Sequence, residues 1–123
     1  MILYHGTKKS NLPGILNSGL RAGFGWGADN PGVFLSKDPE NALYWAKMSV
    51  EKSGGQHDTP VIIQVDVPED AISNIIPRRT SFAKEGDVQF LGAIPSGWVS
   101  PYVQVRSEET RLLKKLVREF LKH

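Results

Sequence analysis

Tyr4-His5-Gly6-Thr7 closes the apolar run that begins at Met1. It sets an imidazole beside a backbone with no side chain to keep a ligand away. Two other groups with chemistry lie far along the chain. Tyr44 falls in a helical stretch, on one face with Asn41 and Met48 by three- and four-residue spacing. Asp87 opens Asp87-Val88-Gln89-Phe90-Leu91, where strand geometry aims it the same way as Gln89, Leu91 and Glu85. An imidazole, a phenol and a carboxylate brought together would make a pocket for a polar ligand. Taken singly, each has an ordinary role, His5 as a strand-end ring satisfied by backbone and Tyr44 as a half-buried packing residue. His5, His57 and His123 do not have the spacing of a metal cluster, and with no cysteine there is neither thiolate catalysis nor a disulfide framework.

These groups must be held by local elements. Met1 to Tyr4 reads as a short strand. Ser10 or Asn11 caps a helix with Pro13 in its first turn and Leu12, Ile15, Leu16 and Leu20 as its apolar stripe. Gly19 ends it in a left-handed conformation. Arg21 to Gly32 is a glycine-rich loop. It fits either a mobile cover whose Phe24 and Trp26 close over a ligand, or an irregular loop with those rings in the core. A helix precedes it and a strand follows, which excludes a dinucleotide fingerprint of the Rossmann kind.

Val33-Phe34-Leu35-Ser36 is a strand. Asp38 caps a second helix, with Pro39 first and Glu40 in the opening turn, that runs to about Lys52. Ala42, Trp45, Ala46 and Ser49 form a face next to that of Tyr44. Val61 to Val67 is a strand stopped by Pro68, and Pro68 to Ile76 holds a helical turn. Arg78, Arg79 and Lys84 lie in a basic loop that either meets phosphates or is simply solvated. Tyr102 to Val105 is a final strand, and Ser107 caps a C-terminal helix with an apolar face and a basic one. Short spacings favour antiparallel pairing, so the expected fold is α+β: two small curved sheets packed together, with flanking helices and a cleft between.

The 123 residues make one domain, 1–123, large enough for a core of its own. With 40% hydrophobic and 23% charged residues, the composition is that of a globular chain. No apolar run reaches the length of a membrane span and no signal peptide is visible, so a cytoplasmic monomer with no membrane partner is expected. A net charge of +2 is too mild to identify a nucleic-acid partner.

Tyr4-His5-Gly6-Thr7, the short helix ending Ser18-Gly19-Leu20, and Gly32-Val33-Phe34-Leu35-Ser36 followed by Ala42-Leu43-Tyr44 resemble the ADP-ribosyltransferase superfamily in its His-Tyr-Glu branch. That branch includes poly(ADP-ribose) polymerases and DNA-modifying toxins, and the resemblance runs from about Leu3 to Val99. It implies a split antiparallel sheet and a monomeric, metal-free enzyme that uses NAD as substrate. ADP-ribose would pass to a macromolecular acceptor, protein or nucleic acid, and nicotinamide would leave. It implies catalytic roles for His5, Tyr44 and Asp87: ribose hydrogen bonding, stacking on nicotinamide, and charge stabilisation. Gly6 would hold the carboxamide, Phe34 would face Tyr44 across the ring, and Thr7, Ser36 and Asn41 would lie near the dinucleotide. Arg21 would meet the pyrophosphate. Asp87 stands where the family has glutamate, one methylene longer. That departure favours a non-catalytic NAD- or ADP-ribose-binding module as one alternative. An RNA 2′-phosphotransferase, with Arg78, Arg79 and Arg106 as candidate phosphate ligands, is another, and an interaction protein that keeps only the fold is a third.

Overall fold

The computed structural model describes residues 1–23, 31–54, 58–78, 85–102 and 118–119. Its strands are β1 (Ile2–Lys8), β2 (Gly32–Ser36), β3 (Pro60–Asp66), β4 (Ile75–Pro77), β5 (Asp87–Leu91) and β6 (Val99–Pro101), and its helices are α1 (Leu12–Ser18) and α2 (Pro39–Lys52). The strands pair antiparallel into one sheet, in the order β4-β5-β2-β1-β3-β6. The fold is α+β.

Alternation along the strands sorts the side chains onto two faces. Leu3, Val33, Leu35, Ile63, Val65, Val88 and Phe90 point to one side, where Ile15, Leu20, Val67 and Ile94 complete the buried core. Each such aliphatic or aromatic group contributes roughly 1.5–3 kcal/mol by leaving water. Tyr4, Gly6, Phe34, Ser36, Gln64, Asp87 and Gln89 have the opposite parity. Helix α2 packs on this second side, mainly against β1 and β3. Asp38 starts it as the sequence predicts: its Oδ1 accepts from Glu40 N at 2.8 Å, with Pro39 in the first turn. Ala42 and Ala46 are buried beneath the helix. They press so closely on β1 that a Cβ at Gly6 would collide with the Ala42 carbonyl oxygen and come within 2.7 Å of Ala46 N.

Helix α1 starts after Asn11 with Pro13 near its N-terminus, as expected, but neither proposed cap makes the capping bond. Asn11 Nδ2 instead donates to Thr7 Oγ1 at 3.1 Å, and Ser10 Oγ donates to Asp58 Oδ2 at 2.6 Å. Gly19 closes the helix at φ 81°, ψ −166°, a conformation open in practice only to glycine.

The sheet differs from the expected pair of packed sheets. All six strands belong to one ladder, but its halves meet weakly. β1 pairs with β3 over seven registers and β2 with β5 over five, whereas β1 and β2 share the single register Tyr4↔Ser36. The separation falls inside one sheet, at the joint of two three-stranded halves.

The turn after Pro68 is 3-10 helical, Glu69–Asn74. The last described strand, Val99–Pro101, precedes the expected one, and Tyr102 N donates to Ile62 O at 3.0 Å. Val103 to Val105, the rings Phe24 and Trp26, His57, Arg79, Lys84 and Arg106 lie outside the described residues. So does the expected C-terminal helix, except Arg118 and Glu119, which are helical.

Candidate functional site

The joint between β1 and β2 is where backbone becomes available to a ligand. Met1 O accepts from Val67 N at 2.9 Å, and Lys9 N donates to Thr59 O at 2.8 Å. Odd-numbered residues of β1 therefore exchange bonds with β3, and even-numbered residues turn their N–H and C=O toward β2. Lys37 N donates to Gly86 O at 3.0 Å, so odd residues of β2 face β5 and Phe34 turns its backbone toward β1. Tyr4 meets Ser36 across the joint, and the next register would be Gly6 opposite Phe34. The ladder stops before it. The Phe34 carbonyl accepts instead from the His5 ring, with Nδ1 at 2.8 Å.

That bond fixes the chemistry of the imidazole. A carbonyl oxygen can only accept, so Nδ1 carries the hydrogen. Burial pushes the His5 pKa below its ordinary 6.5, outweighing the opposing effect of the Phe34 carbonyl. The ring is therefore neutral at pH 7, and Nε2 keeps a lone pair for a hydroxyl or N–H donor.

A cavity of about 230 Å³ opens at this joint. From the sheet it is lined by Tyr4, His5, Gly6, Phe34, Leu35 and Ser36. From α2 come Ala42, Trp45, Met48, Ser49 and Lys52, and Arg78, at the end of β4, closes one side. The volume lies below the range of roughly 300–1,000 Å³ usual for drug-sized ligands. It suits a ring and its sugar better than a whole dinucleotide.

Behind one wall sits a buried polar cluster. Asp87 is 6% exposed. It accepts from Ser36 Oγ at 2.7 Å and from Trp45 Nε1 at 2.9 Å. Arg78 Nη1 lies 3.8 Å from Asp87 Oδ2, an ion pair too long for a hydrogen bond. The register explains the grouping. Tyr4, Ser36 and Asp87 are successive cross-strand partners, and Arg78 N, one residue past the Pro77↔Val88 pair, donates to Asp87 O at 3.3 Å. One row of the sheet thus runs Tyr4–Ser36–Asp87–Arg78. The guanidinium stacks on two rings, its central carbon 4.0 Å from the Phe34 centroid and 4.5 Å from that of Trp45. Burial draws its pKa down and Asp87 draws it up; an arginine so placed stays charged at neutral pH.

The residues expected from sequence are only partly assembled. His5, Gly6, Phe34 and Ser36 line the cavity. Asp87 does not line it, but lies behind Ser36 and Trp45. Tyr44 departs furthest from the expected convergence. It is 41% exposed and off the cavity wall, its ring set edge-on to Trp45 at 5.1 Å. Ala42 and Ala46 dictate this by facing β1, so the helix turns Trp45 inward and Tyr44 outward. Asn41 Nδ2 donates to Glu85 O at 2.8 Å, which holds the approach to β5 rather than the cavity. Thr7 is buried as the acceptor of Asn11, and Arg21 is exposed away from the lining. Of the alternatives to Asp87, Gln89 is buried and Glu85 exposed.

Trp45 is the site residue that the sequence places elsewhere, on a packing face, and Arg78, read there as a candidate phosphate ligand in a basic loop, is found here as the ion-pair partner of Asp87. The small residues Ala42 and Ala46 were a signal for Trp45, since they mark the face a helix presses on a sheet. For Arg78 the signal was cross-strand charge pairing with Asp87, readable only once the β4–β5 register is known.

Among the described residues no group of histidine and carboxylate side chains is placed to hold a metal ion, and no helix is long and apolar enough to cross a membrane. No protein-family model matches the chain, and a search of curated proteins finds no relative.

Proposed function

We propose that the domain binds the nicotinamide-ribose end of NAD at the β1–β2 joint and acts as an ADP-ribosyltransferase, passing ADP-ribose to a macromolecular acceptor. The observation that carries this reading is the interrupted ladder. Gly6 turns both its N–H and its C=O toward a lined cavity, with no side chain of its own in the way. A primary carboxamide has one acceptor and two donors, the complement of that backbone pair. His5 Nε2, an acceptor in the neutral ring, suits a ribose hydroxyl. Phe34 and Trp45 supply apolar walls for a planar ring.

In the reaction, the bond between ribose C1′ and the ring nitrogen breaks. Its electron pair leaves with neutral nicotinamide, and the ribose passes through a cation like that of glycoside hydrolysis. An acceptor nucleophile then forms the new bond to C1′ and gives up its proton to solvent water. Gly6 and His5 orient the ligand and the walls exclude water, while Asp87, behind Ser36 and Trp45 and paired with Arg78, acts on the developing charge from outside the cavity.

The bonding of Asp87 favours a second reading, a non-catalytic NAD- or ADP-ribose-binding module. Ser36, Trp45 and Arg78 already engage that carboxylate. The experiment is incubation with labelled NAD and cell extract, scoring nicotinamide release and label transfer, with His5→Gln as control. Transfer that is lost in His5→Gln supports the enzyme. Calorimetric binding of NAD without release selects the binding module, and neither binding nor release rejects both.

A further inference from the structure

Ser36 stands between the cavity and the buried carboxylate. It ends β2 at the closed rung of the joint, opposite Tyr4 on one side and Asp87 on the other. Its parity sends the side chain to the α2 side, and the residue lines the cavity. Its Oγ–H is given to Asp87 Oδ1 at 2.7 Å, a length typical of a hydroxyl bonded to a charged acceptor. A hydroxyl has one hydrogen. Ser36 therefore has none left for a ligand and meets one only as an acceptor. Hydrogen bonds in a chain polarise one another, so the carboxylate behind Ser36 pushes electron density onto its oxygen.

Placement says which ligand group that oxygen meets. Gly6 and Ser36 are diagonal neighbours across β1 and β2, a relation that sets two residues about 7–8 Å apart. A nicotinamide ring and its glycosidic bond span that separation, from a carboxamide at Gly6 to the hydroxyl on the sugar carbon next to C1′. We infer that Ser36 Oγ accepts the hydrogen of the ribose 2′-hydroxyl, so that Asp87 acts on the ligand through Ser36 and the site selects ribose over 2′-deoxyribose. The inference deepens the NAD reading and rests on it for where the ring lies. No proton changes owner. The 2′-hydroxyl donates to Oγ, Oγ–H donates to Oδ1, and electron density rises on the oxygen beside the carbon that becomes cationic. The other ribose hydroxyl is left to His5.

The test measures calorimetric affinities of the full-length protein, unmodified and as Ser36→Ala. The ligands are nicotinamide riboside and its 2′-deoxy and 2′-deoxy-2′-fluoro analogues. Fluorine keeps a polar atom at the position but has no hydrogen to give. With the unmodified protein both analogues should bind about tenfold more weakly than the riboside, as loss of one hydrogen bond in a charged chain implies. In Ser36→Ala the three should bind within about twofold of one another, a levelling that a merely structural role for Ser36 would not produce. A 2′-deoxy penalty that persists in Ser36→Ala overturns the inference and leaves the NAD reading standing. So does a fluoro analogue that binds the unmodified protein as tightly as the riboside, since the position would then want an acceptor. If Ser36→Ala does not fold, the two analogues decide on the unmodified protein alone. Failure of the unmodified protein to bind either nicotinamide or the riboside overturns both.

Discussion

Replacing Asp87 by alanine separates the structural role of this carboxylate from a purely chemical one. The side chains of Asp87 and Arg78 are 1% and 5% exposed, so solvent screens their interaction little. Asp87→Ala strands a buried guanidinium and removes the acceptor of Ser36 Oγ and Trp45 Nε1. Breaking a buried ion pair from one side costs about 3–5 kcal/mol, and each orphaned buried donor adds about 1–3 kcal/mol unless it finds another acceptor. Partial relaxation around the small alanine side chain brings the expected loss to about 4 kcal/mol, within a total stability of about 5–15 kcal/mol. An unfolding entropy near 2.1 cal/mol/K per residue gives about 0.26 kcal/mol/K for a chain of 123 residues, so Tm should fall by about 15 °C. Scanning calorimetry and urea denaturation measure this directly. A double variant, Asp87→Ala with Arg78→Met, removes both charges and should be more stable than Asp87→Ala alone. A loss below about 1 kcal/mol in the single variant, or strictly additive losses in the double, would refute the buried cluster and with it the reason Asp87 is withheld from the cavity.

Other consequences can be measured independently. Gly6→Ala forces α2 off β1 and should cost about 1–3 kcal/mol or more, read from the urea midpoint at unchanged m-value. Trp45→Ala should weaken nicotinamide binding at least about tenfold, whereas Tyr44→Ala should change it by less than about twofold, in calorimetric titrations. For His5 the sign follows from its lowered pKa. As pH falls below the unfolded value of 6.5, the unfolded chain takes up a proton that the folded ring refuses. Stability contributed by the neutral ring is therefore full above that value and declines from 6.5 toward the lower folded pKa. In His5→Asn, which keeps an N–H donor for the Phe34 carbonyl, that part of the acid-side decline should vanish from urea midpoints taken across the range.

Local signals in the chain were enough for both helices and for β1, β2, β3 and β5, but not for the short strands β4, which falls in a stretch read as a helical turn, and β6, nor for the joint. Asp38-Pro39-Glu40 declares the start of α2 because capping and proline placement are decided within one turn. Gly19 declares the end of α1 for the same reason. The opening beside Gly6 depends on where two strands about thirty residues apart cease to pair, and on a histidine side chain taking a backbone carbonyl. Neither event leaves a periodic trace. Tyr44 and Trp45 show the limit at finer scale. One residue turns a helix by about 100°, so the choice of inward ring is made by Ala42 and Ala46 against Gly6, not by a motif. The Arg78–Asp87 pair was hidden for a related reason, since nine positions separate the two and only the hairpin register sets them opposite each other.

Nicotinamide binding beside Gly6 is read most directly from the backbone amide spectrum during titration with nicotinamide. The Gly6 N–H resonance should move, together with neighbours at His5 and Phe34, and His5→Gln should weaken the response. Saturating nicotinamide that leaves Gly6 in place, or shifts confined to residues away from the β1–β2 joint, would contradict it.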